Sequence, residues 1–186
     1  YNLQHRNDEA LSIAKNYYQK NPTHYIMGML LAKTYLLTKK YRDAAQILDK
    51  IVVIPYEGAT DGMGLYKEAH LMLAVEEMKK NNSKKAINEI ILSKQWPVSL
   101  GVGKPYQEDI DERLENFLLY HCYTKLGDKT KSATALEQIK NNKAKGYKVN
   151  EVITAWVTNT NKVLDNITPG TIEDENKRVL SEWLKK

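Results

Sequence analysis

Apolar residues recur at helical spacing along three stretches of the chain, and each stretch is interrupted once by a short polar segment. The three polar segments are residues 38–41, 80–83 and 126–128. Residues three and four positions apart share one face of an α-helix, so each stretch predicts two antiparallel helices joined by a tight turn. The predicted helix pairs cover residues 25–55, 65–96 and 111–140.

When the polar segments are aligned, residues of the same size fall at the same places. The first helix of each pair has a large apolar residue, at Leu31, Leu73 and Leu119. The second helix has a small residue and then a large one four positions later, at Ala44 and Leu48, Ala86 and Ile90, and Ser132 and Leu136. Small side chains suit places where helices cross closely, and large ones fill the gaps between them. The chain is therefore predicted to consist of repeats, and Gly127 is placed to end a helix in the left-handed conformation.

This alternation of small and large positions resembles the tetratricopeptide repeat, a helix–turn–helix unit of 34 residues. Ala10, Ala14 and Tyr17 lie 34 residues before Ala44, Leu48 and Ile51, so residues 7–22 resemble the second half of such a unit. The resemblance covers about residues 7–140 and implies an all-α fold, an α-solenoid of antiparallel helix pairs. Because a lone half-repeat exposes an apolar face, we expect more protein upstream of Tyr1.

Two connections between the predicted repeats are long and rich in Gly and Pro, at residues 55–64 and 96–109. The second runs Trp-Pro-Val-Ser-Leu-Gly-Val-Gly-Lys-Pro-Tyr from Trp96 to Tyr106, and acidic residues around Asp111 suit the start of the next helix. This stretch is similar to one in the helical-repeat C-terminal region of large bacterial proteins, which carry an N-terminal β-sandwich of carbohydrate-enzyme type and a domain of unknown function. That resemblance implies an accessory module, with any sugar chemistry located outside this chain.

The repeat register weakens after Gly146. Val152, Trp156 and Leu164 lie at helical spacing, and a last helix with an apolar stripe is predicted to start near Thr171. A solenoid needs an end with one polar face. We therefore divide the chain into a repeat domain over residues 1–146 and a capping helical pair over residues 147–186.

Composition and charge modify this picture only slightly. The 186 residues are 42% hydrophobic and 27% charged, which suits one packed domain or a short array of repeats. The net charge is +5, and residues 125–148 hold seven Lys against Asp128 and Glu137. This stretch is either a nucleic-acid patch or a solvated helix face. The chain is poor in Arg, which binds phosphates in pairs of hydrogen bonds, so nucleic acid is not the expected partner.

No sequence motif predicts a reaction. The segment from Gly101 to Pro105 lacks the spacing and the hydroxyl of a phosphate-binding loop. The histidines form no i, i+4 pair, and His121 and the single cysteine, Cys122, point about 100° apart on a helix. The apolar run at residues 51–55 is far too short to cross a bilayer. We therefore expect no enzyme activity, no metal, no cofactor and no membrane insertion. The sequence does not indicate a cellular compartment.

The first helices of stacked repeats are expected to line a concave groove. By register, the groove residues are Met29, Lys33, Leu36, Leu71, Val75, Met78, Phe117 and His121. A mostly apolar, Met-containing groove suits a helix or an adaptable peptide, and the alternative is that these residues only pack against neighbouring helices.

The long loop offers a second candidate surface, at Trp96, Leu100 and Tyr106, and we expect it to be ordered and folded back on the solenoid. The expected partner is a protein, a peptide or an upstream domain of the same polypeptide. The alternative is a small molecule or a sugar bound by Trp96 and Tyr106.

Overall fold

A computed structural model describes residues 3–55, 61–107 and 110–141, and these residues form helices, turns and loops without a β-strand. The seven α-helices of this part are α1 (Leu3–Lys20), α2 (Tyr25–Leu37), α3 (Tyr41–Leu48), α4 (Asp61–Lys79), α5 (Ser83–Ser93), α6 (Arg113–Lys125) and α7 (Lys129–Lys140). A short 3₁₀ helix, Val98–Leu100, interrupts the long loop between α5 and α6. The predicted all-α repeat fold is confirmed, while the predicted capping pair at residues 147–186 lies outside the described residues.

The helices pack with their neighbours along the chain, as in a solenoid. α2 packs on α3, α4 on α5, and α6 on α7, which makes three hairpins. α1 packs on α2, and successive hairpins join through α3 against α4 and α5 against α6. Such nearest-neighbour packing is the architecture of a helical repeat protein.

All three hairpins turn in the same way. One residue in each turn has a left-handed backbone, namely Lys39, Asn81 and Gly127, with φ of 59°, 58° and 73°. The following N–H donates to the carbonyl oxygen five residues earlier, in the pairs Lys40–Tyr35, Asn82–Glu77 and Asp128–Tyr123, at 2.8, 2.8 and 3.0 Å. This is the Schellman arrangement, which satisfies carbonyl groups at the end of a helix. The left-handed stop predicted at Gly127 is confirmed.

The aligned positions are buried together in one core. Leu31, Leu73 and Leu119 are all buried, and Ala44 and Ala86 have no exposed surface. In the third hairpin Ser132 and Leu136 are only half-buried. The repeat register inferred from residue size is therefore confirmed for the large position of each first helix.

The long loop folds back on the solenoid, as predicted. The Val53 N–H donates to the Ser99 carbonyl oxygen at 2.8 Å, and Leu100 is buried. Gly101 has a φ of 69°, and a Cβ atom there would lie 2.8 Å from the Val53 carbonyl oxygen, so the contact requires glycine. α4 begins at Asp61 rather than near residue 65, because Gly62 lets the first turn of the helix pack closely against Leu100.

Candidate functional site

The face of α2 that points away from the core carries a stripe of exposed apolar side chains. Ile26, Leu30 and Leu37 are exposed, and the exposed Lys33 lies between them. These four residues are spaced by four, three and four positions, so they lie on one side of the helix. We call Ile26, Leu30, Lys33 and Leu37 the α2 stripe.

The opposite side of α2 is packed tightly into the core. Leu31 and Tyr35 are buried there, and a Cβ atom at Gly28 would lie only 2.5 Å from Cγ2 of Ile51. α2 is thus apolar on both sides, a composition typical of a fully buried helix. Here only one side is covered by the described residues, and an exposed cluster of large apolar side chains commonly marks an interaction surface.

The α2 stripe has no equally exposed counterpart on the first helices of the later repeats. By the register of the left-handed turns, its equivalents are Glu68, Met72, Val75 and Lys79 on α4, and Leu114, Leu118, His121 and Lys125 on α6. The apolar members of both sets, Met72, Val75, Leu114 and Leu118, are buried. Among the first helices of the three described hairpins, this exposed apolar stripe is therefore found on α2.

The groove assignment made from the sequence needs correction. Five of its eight residues are buried in the core, namely Leu36, Leu71, Val75, Met78 and Phe117. They pack among neighbouring helices, as in the alternative interpretation. Lys33 belongs to the α2 stripe, and Met29 is half-buried beside it.

His121 and Cys122 contribute no nucleophile–base pair. Burial, and then the positive charge of Lys125, lower the pKa of His121, whose Nε2 atom is buried without a hydrogen-bond partner. Burial raises the pKa of the Cys122 thiol to about 11, so this thiol stays protonated. Among the residues that the structure describes, no cluster of His, Cys, Asp and Glu could hold a metal ion.

The loop residues divide between core and surface. Leu100 is buried and Trp96 is half-buried against the core, whereas Tyr106 is exposed. Val98, at the start of the 3₁₀ helix, is 92% exposed, and Val52 and Ile54 are exposed on the segment to which the loop is hydrogen-bonded. A second exposed apolar surface therefore forms where the two long connections meet. The sequence indicated this loop but not Val98, because a single valine among turn residues carries no periodicity.

A network of buried charges joins the second and third repeats beside this loop. Lys67 on α4 forms an ion pair with Glu115 on α6, with Nζ and Oε1 2.6 Å apart, and also donates to the Asp111 carbonyl oxygen at 3.2 Å. Asp111 accepts hydrogen bonds from Arg113, and Lys94 on α5 pairs with Glu112 at 3.1 Å. The acidic residues predicted to start α6 therefore also hold the repeats together, and their paired arrangement favours a structural role.

None of the described helices has both the length and the apolar composition that crossing a membrane requires.

No curated protein and no solved structure gives a significant match to the chain. The family model of the tetratricopeptide repeat matches residues 2–53, which contain α1, α2 and α3. With this match and three hairpins that share one turn and one packing pattern, the chain is an all-α helical repeat protein of tetratricopeptide-like architecture, a class that generally mediates protein–protein interactions.

Proposed function

We propose that this protein is a non-catalytic interaction module that binds an amphipathic helix of a partner protein along the α2 stripe. The observation that carries the proposal is the exposure of Ile26, Leu30 and Leu37 on a helix whose opposite side is already buried. Full burial of an exposed apolar side chain contributes about 1.5–3 kcal/mol, and these three, which are 53%, 45% and 44% exposed, would each contribute about half of that when a partner covers them. Three such side chains along one line supply the affinity of a helix-in-groove complex.

The spacing and charge of the stripe define the occupant. Positions 26, 30, 33 and 37 repeat as the core positions of two successive heptads do, which suits a helix lying roughly along α2. Lys33 is the only charged residue of α2, and it lies at the centre of the apolar line. A partner helix with apolar residues at matching positions and one Asp or Glu opposite Lys33 would cover the stripe without leaving that charge unpaired.

The surface around the long loop is a second contact region in this proposal. Val98, Tyr106, Val52 and Ile54 present apolar atoms to solvent on an ordered framework fixed by the Val53–Ser99 hydrogen bond. We propose that a neighbouring domain, including one upstream in the same polypeptide, rests on this surface. With two contact regions, the α2 stripe and the loop surface, one partner could span both or two partners could bind at once.

The test of the helix site is a selection from a displayed library of helical peptides, followed by affinity measurements on variants. Leu30→Glu places a charge in the α2 stripe, and Ile91→Glu on α5 is the matched control, since the two side chains are 45% and 46% exposed. We expect selected peptides to have apolar residues at two-heptad spacing around an acidic residue. The affinity of these peptides should be about a hundredfold lower for the Leu30→Glu variant than for the parent protein, and unchanged for the Ile91→Glu variant.

Two outcomes contradict the proposal. One is that selected peptides bind the Leu30→Glu variant as tightly as the parent protein, which would place the site elsewhere. The other is that binding depends on Val98 and Tyr106 alone, which would leave the loop surface as the interaction site. Circular dichroism of both variants checks that helix content is unchanged.

A further inference from the structure

The three hairpin turns concentrate positive charge along one edge of the solenoid. The equivalent nine-residue windows 35–43, 77–85 and 123–131 each centre on a left-handed turn residue. Together they contain ten Lys or Arg residues and three acids, a net charge of +7, whereas the whole chain carries +5. The basic residues are Lys39, Lys40, Arg42, Lys79, Lys80, Lys84, Lys85, Lys125, Lys129 and Lys131, which we call the lysine edge.

A direct hydrogen bond joins the second and third turns of the lysine edge. Lys125 at the third turn donates to the Oδ1 atom of Asn81 at the second turn, with a distance of 3.0 Å. The first turn leads into α3, which packs against α4. The pKa of Tyr41 at the start of α3 is raised by burial and then by the carboxylates of Glu76 and Glu68 on α4. The three turns are far apart in sequence, so the charge of any single segment does not indicate that they form one edge.

The basic side chains of the lysine edge are accessible. All ten are exposed to solvent. Within their own turns, Lys80 pairs with Glu77 at 3.1 Å and Lys131 pairs with Asp128 at 3.3 Å. The three windows carry net charges of +2, +3 and +2, to which Lys39 and Lys40 contribute at the first turn and Lys84 and Lys85 at the second. Concentrated charge of one sign attracts partners of the opposite sign and speeds their encounter.

We infer that the lysine edge is a docking surface for an acidic segment of polypeptide. Nine of the ten basic residues are Lys, which acts as a point charge, and only Arg42 offers the planar fork that favours phosphate. Each turn also contains an acid, namely Asp43, Glu77 and Asp128. A polypeptide can space its carboxylates to avoid these acids, whereas the regular charge of a nucleic-acid backbone meets them.

The aromatic residues of the edge further favour polypeptide over single-stranded nucleic acid, whose bases stack on exposed aromatic rings. Tyr41 is buried. The ring of Tyr123 is covered by Lys131, whose Nζ atom lies 5.5 Å from the ring centroid. The edge therefore offers charge without a stacking platform.

The test uses a fluorescein-labelled peptide in which Glu alternates with Ser, and fluorescence anisotropy at low and physiological salt. The edge variant carries Lys39→Gln, Lys40→Gln, Lys84→Gln and Lys85→Gln. The control variant removes the same charge from exposed residues elsewhere, with Lys15→Gln, Lys20→Gln, Lys50→Gln and Lys104→Gln. We expect the edge variant to bind about tenfold or more weakly and the control to stay within about twofold of the parent, because screened charges act mainly at short range.

Three results would overturn the inference. Equal weakening in both variants would show that net charge alone attracts the peptide. The second result is tighter binding through the edge by another ligand than by the peptide. The ligands to compare are a single-stranded oligonucleotide of the same charge and vesicles of phosphatidylserine and phosphatidylcholine. Tighter binding by either would assign the lysine edge to a different class of partner. Failure of the parent protein to bind the peptide at low salt would remove the docking surface altogether. None of these results depends on the α2 stripe, so the helix-binding proposal is tested separately.

Discussion

Lys67 and Glu115 form an ion pair across the joint between the second and third repeats, with 2.6 Å between Nζ and Oε1. The side chains are only 15% and 1% exposed, so both charges have left water. Removing charges from water is costly, and the cost is offset only when each retains its partner. The pair therefore makes the geometry of this joint specific, because any shift of α6 against α4 would leave a buried charge alone.

We predict that breaking this pair on one side destabilises the protein more than replacing it altogether. Glu115→Leu or Lys67→Met should each lower the free energy of unfolding by about 3–5 kcal/mol, since each leaves a buried partner uncompensated. The double variant Lys67→Met, Glu115→Leu should recover much of that loss. Urea unfolding of the four proteins gives the coupling energy, and additive losses would show that the two charges do not interact.

The pH dependence of stability should report the same network. Although burial raises the pKa of Asp111, its hydrogen bonds and charge contact with Arg113 prevail and hold the pKa below its usual value. Burial lowers the pKa of Lys67, but Glu115 and the nearby acids prevail and raise it. A depressed carboxyl pKa stabilises the fold above the unfolded-state value, and this contribution is lost as the pH falls through the folded-state pKa. A raised lysine pKa stabilises below the unfolded-state value, and this is lost as the pH rises through the folded-state pKa.

These two groups should therefore contribute fully between about pH 5 and pH 9 and lose their contribution outside that range. Urea unfolding between pH 7 and acid pH should show a smaller decrease in stability for Asp111→Asn than for the parent protein. The exposed Asp43→Asn variant is the control for a general loss of negative charge. An equal decrease in parent and Asp111→Asn would rule out Asp111 as a source of acid sensitivity.

Substitutions at two equivalent left-handed turn residues should change the stability of the protein in opposite directions. Lys39→Gly should stabilise the protein by about 0.5–1 kcal/mol, because glycine adopts a φ of 59° without the steric cost that lysine bears. Gly127→Ala should destabilise by about 1 kcal/mol through its φ of 73° alone, since no atom lies within 4 Å of the added Cβ. Thermal unfolding measures both, and similar effects at the two positions would show that backbone strain is not the cause.

Truncation of the shared large position tests the repeat register. Leu73→Ala should lower the free energy of unfolding by about 2–5 kcal/mol, because the side chain is buried between helices and leaves a cavity. Leu31→Ala should have an effect in the same range. The exposed Leu37→Ala is the control on the same helix as Leu31, and we expect a change of about 0.5 kcal/mol or less.

Cys122 should be unreactive in the folded protein. Its burial and its pKa of about 11 leave about one thiol in a thousand ionised near pH 8. A disulfide reagent should modify it slowly in buffer and rapidly in denaturing urea. It is the only cysteine of the chain, so the reaction reports opening of α6 directly. Rapid reaction without denaturant would show that this helix opens on its own.

Much of the fold follows from local patterns in the sequence. The alternation at Leu31, Leu73 and Leu119 identifies the repeats, and Gly127 identifies a turn, because helix periodicity and turn chemistry involve residues only a few positions apart. Even the return of the long loop follows from the apolar character of Leu100. The position at which α4 starts, Asp61, does not follow from local patterns. A glycine at position 62 favours the helix only because it packs closely against Leu100, which comes 38 residues later.

The candidate surfaces depend far more on the tertiary structure. Leu30 and Val75 are both apolar residues of first helices, yet one is exposed and the other is buried. Periodicity places such residues on a face, but it does not state which face a neighbouring helix covers.

The sequence by itself determined the helix pairs, their register and the repeat architecture, because each depends on contacts between residues three or four positions apart. Only the tertiary structure decided that the α2 stripe is accessible, that Lys67 meets Glu115, and that three separate turns form the lysine edge. Each of these joins residues from different repeats or depends on what a neighbouring helix covers. Such relationships are set by how whole helices stack, and the composition of a single segment does not contain them.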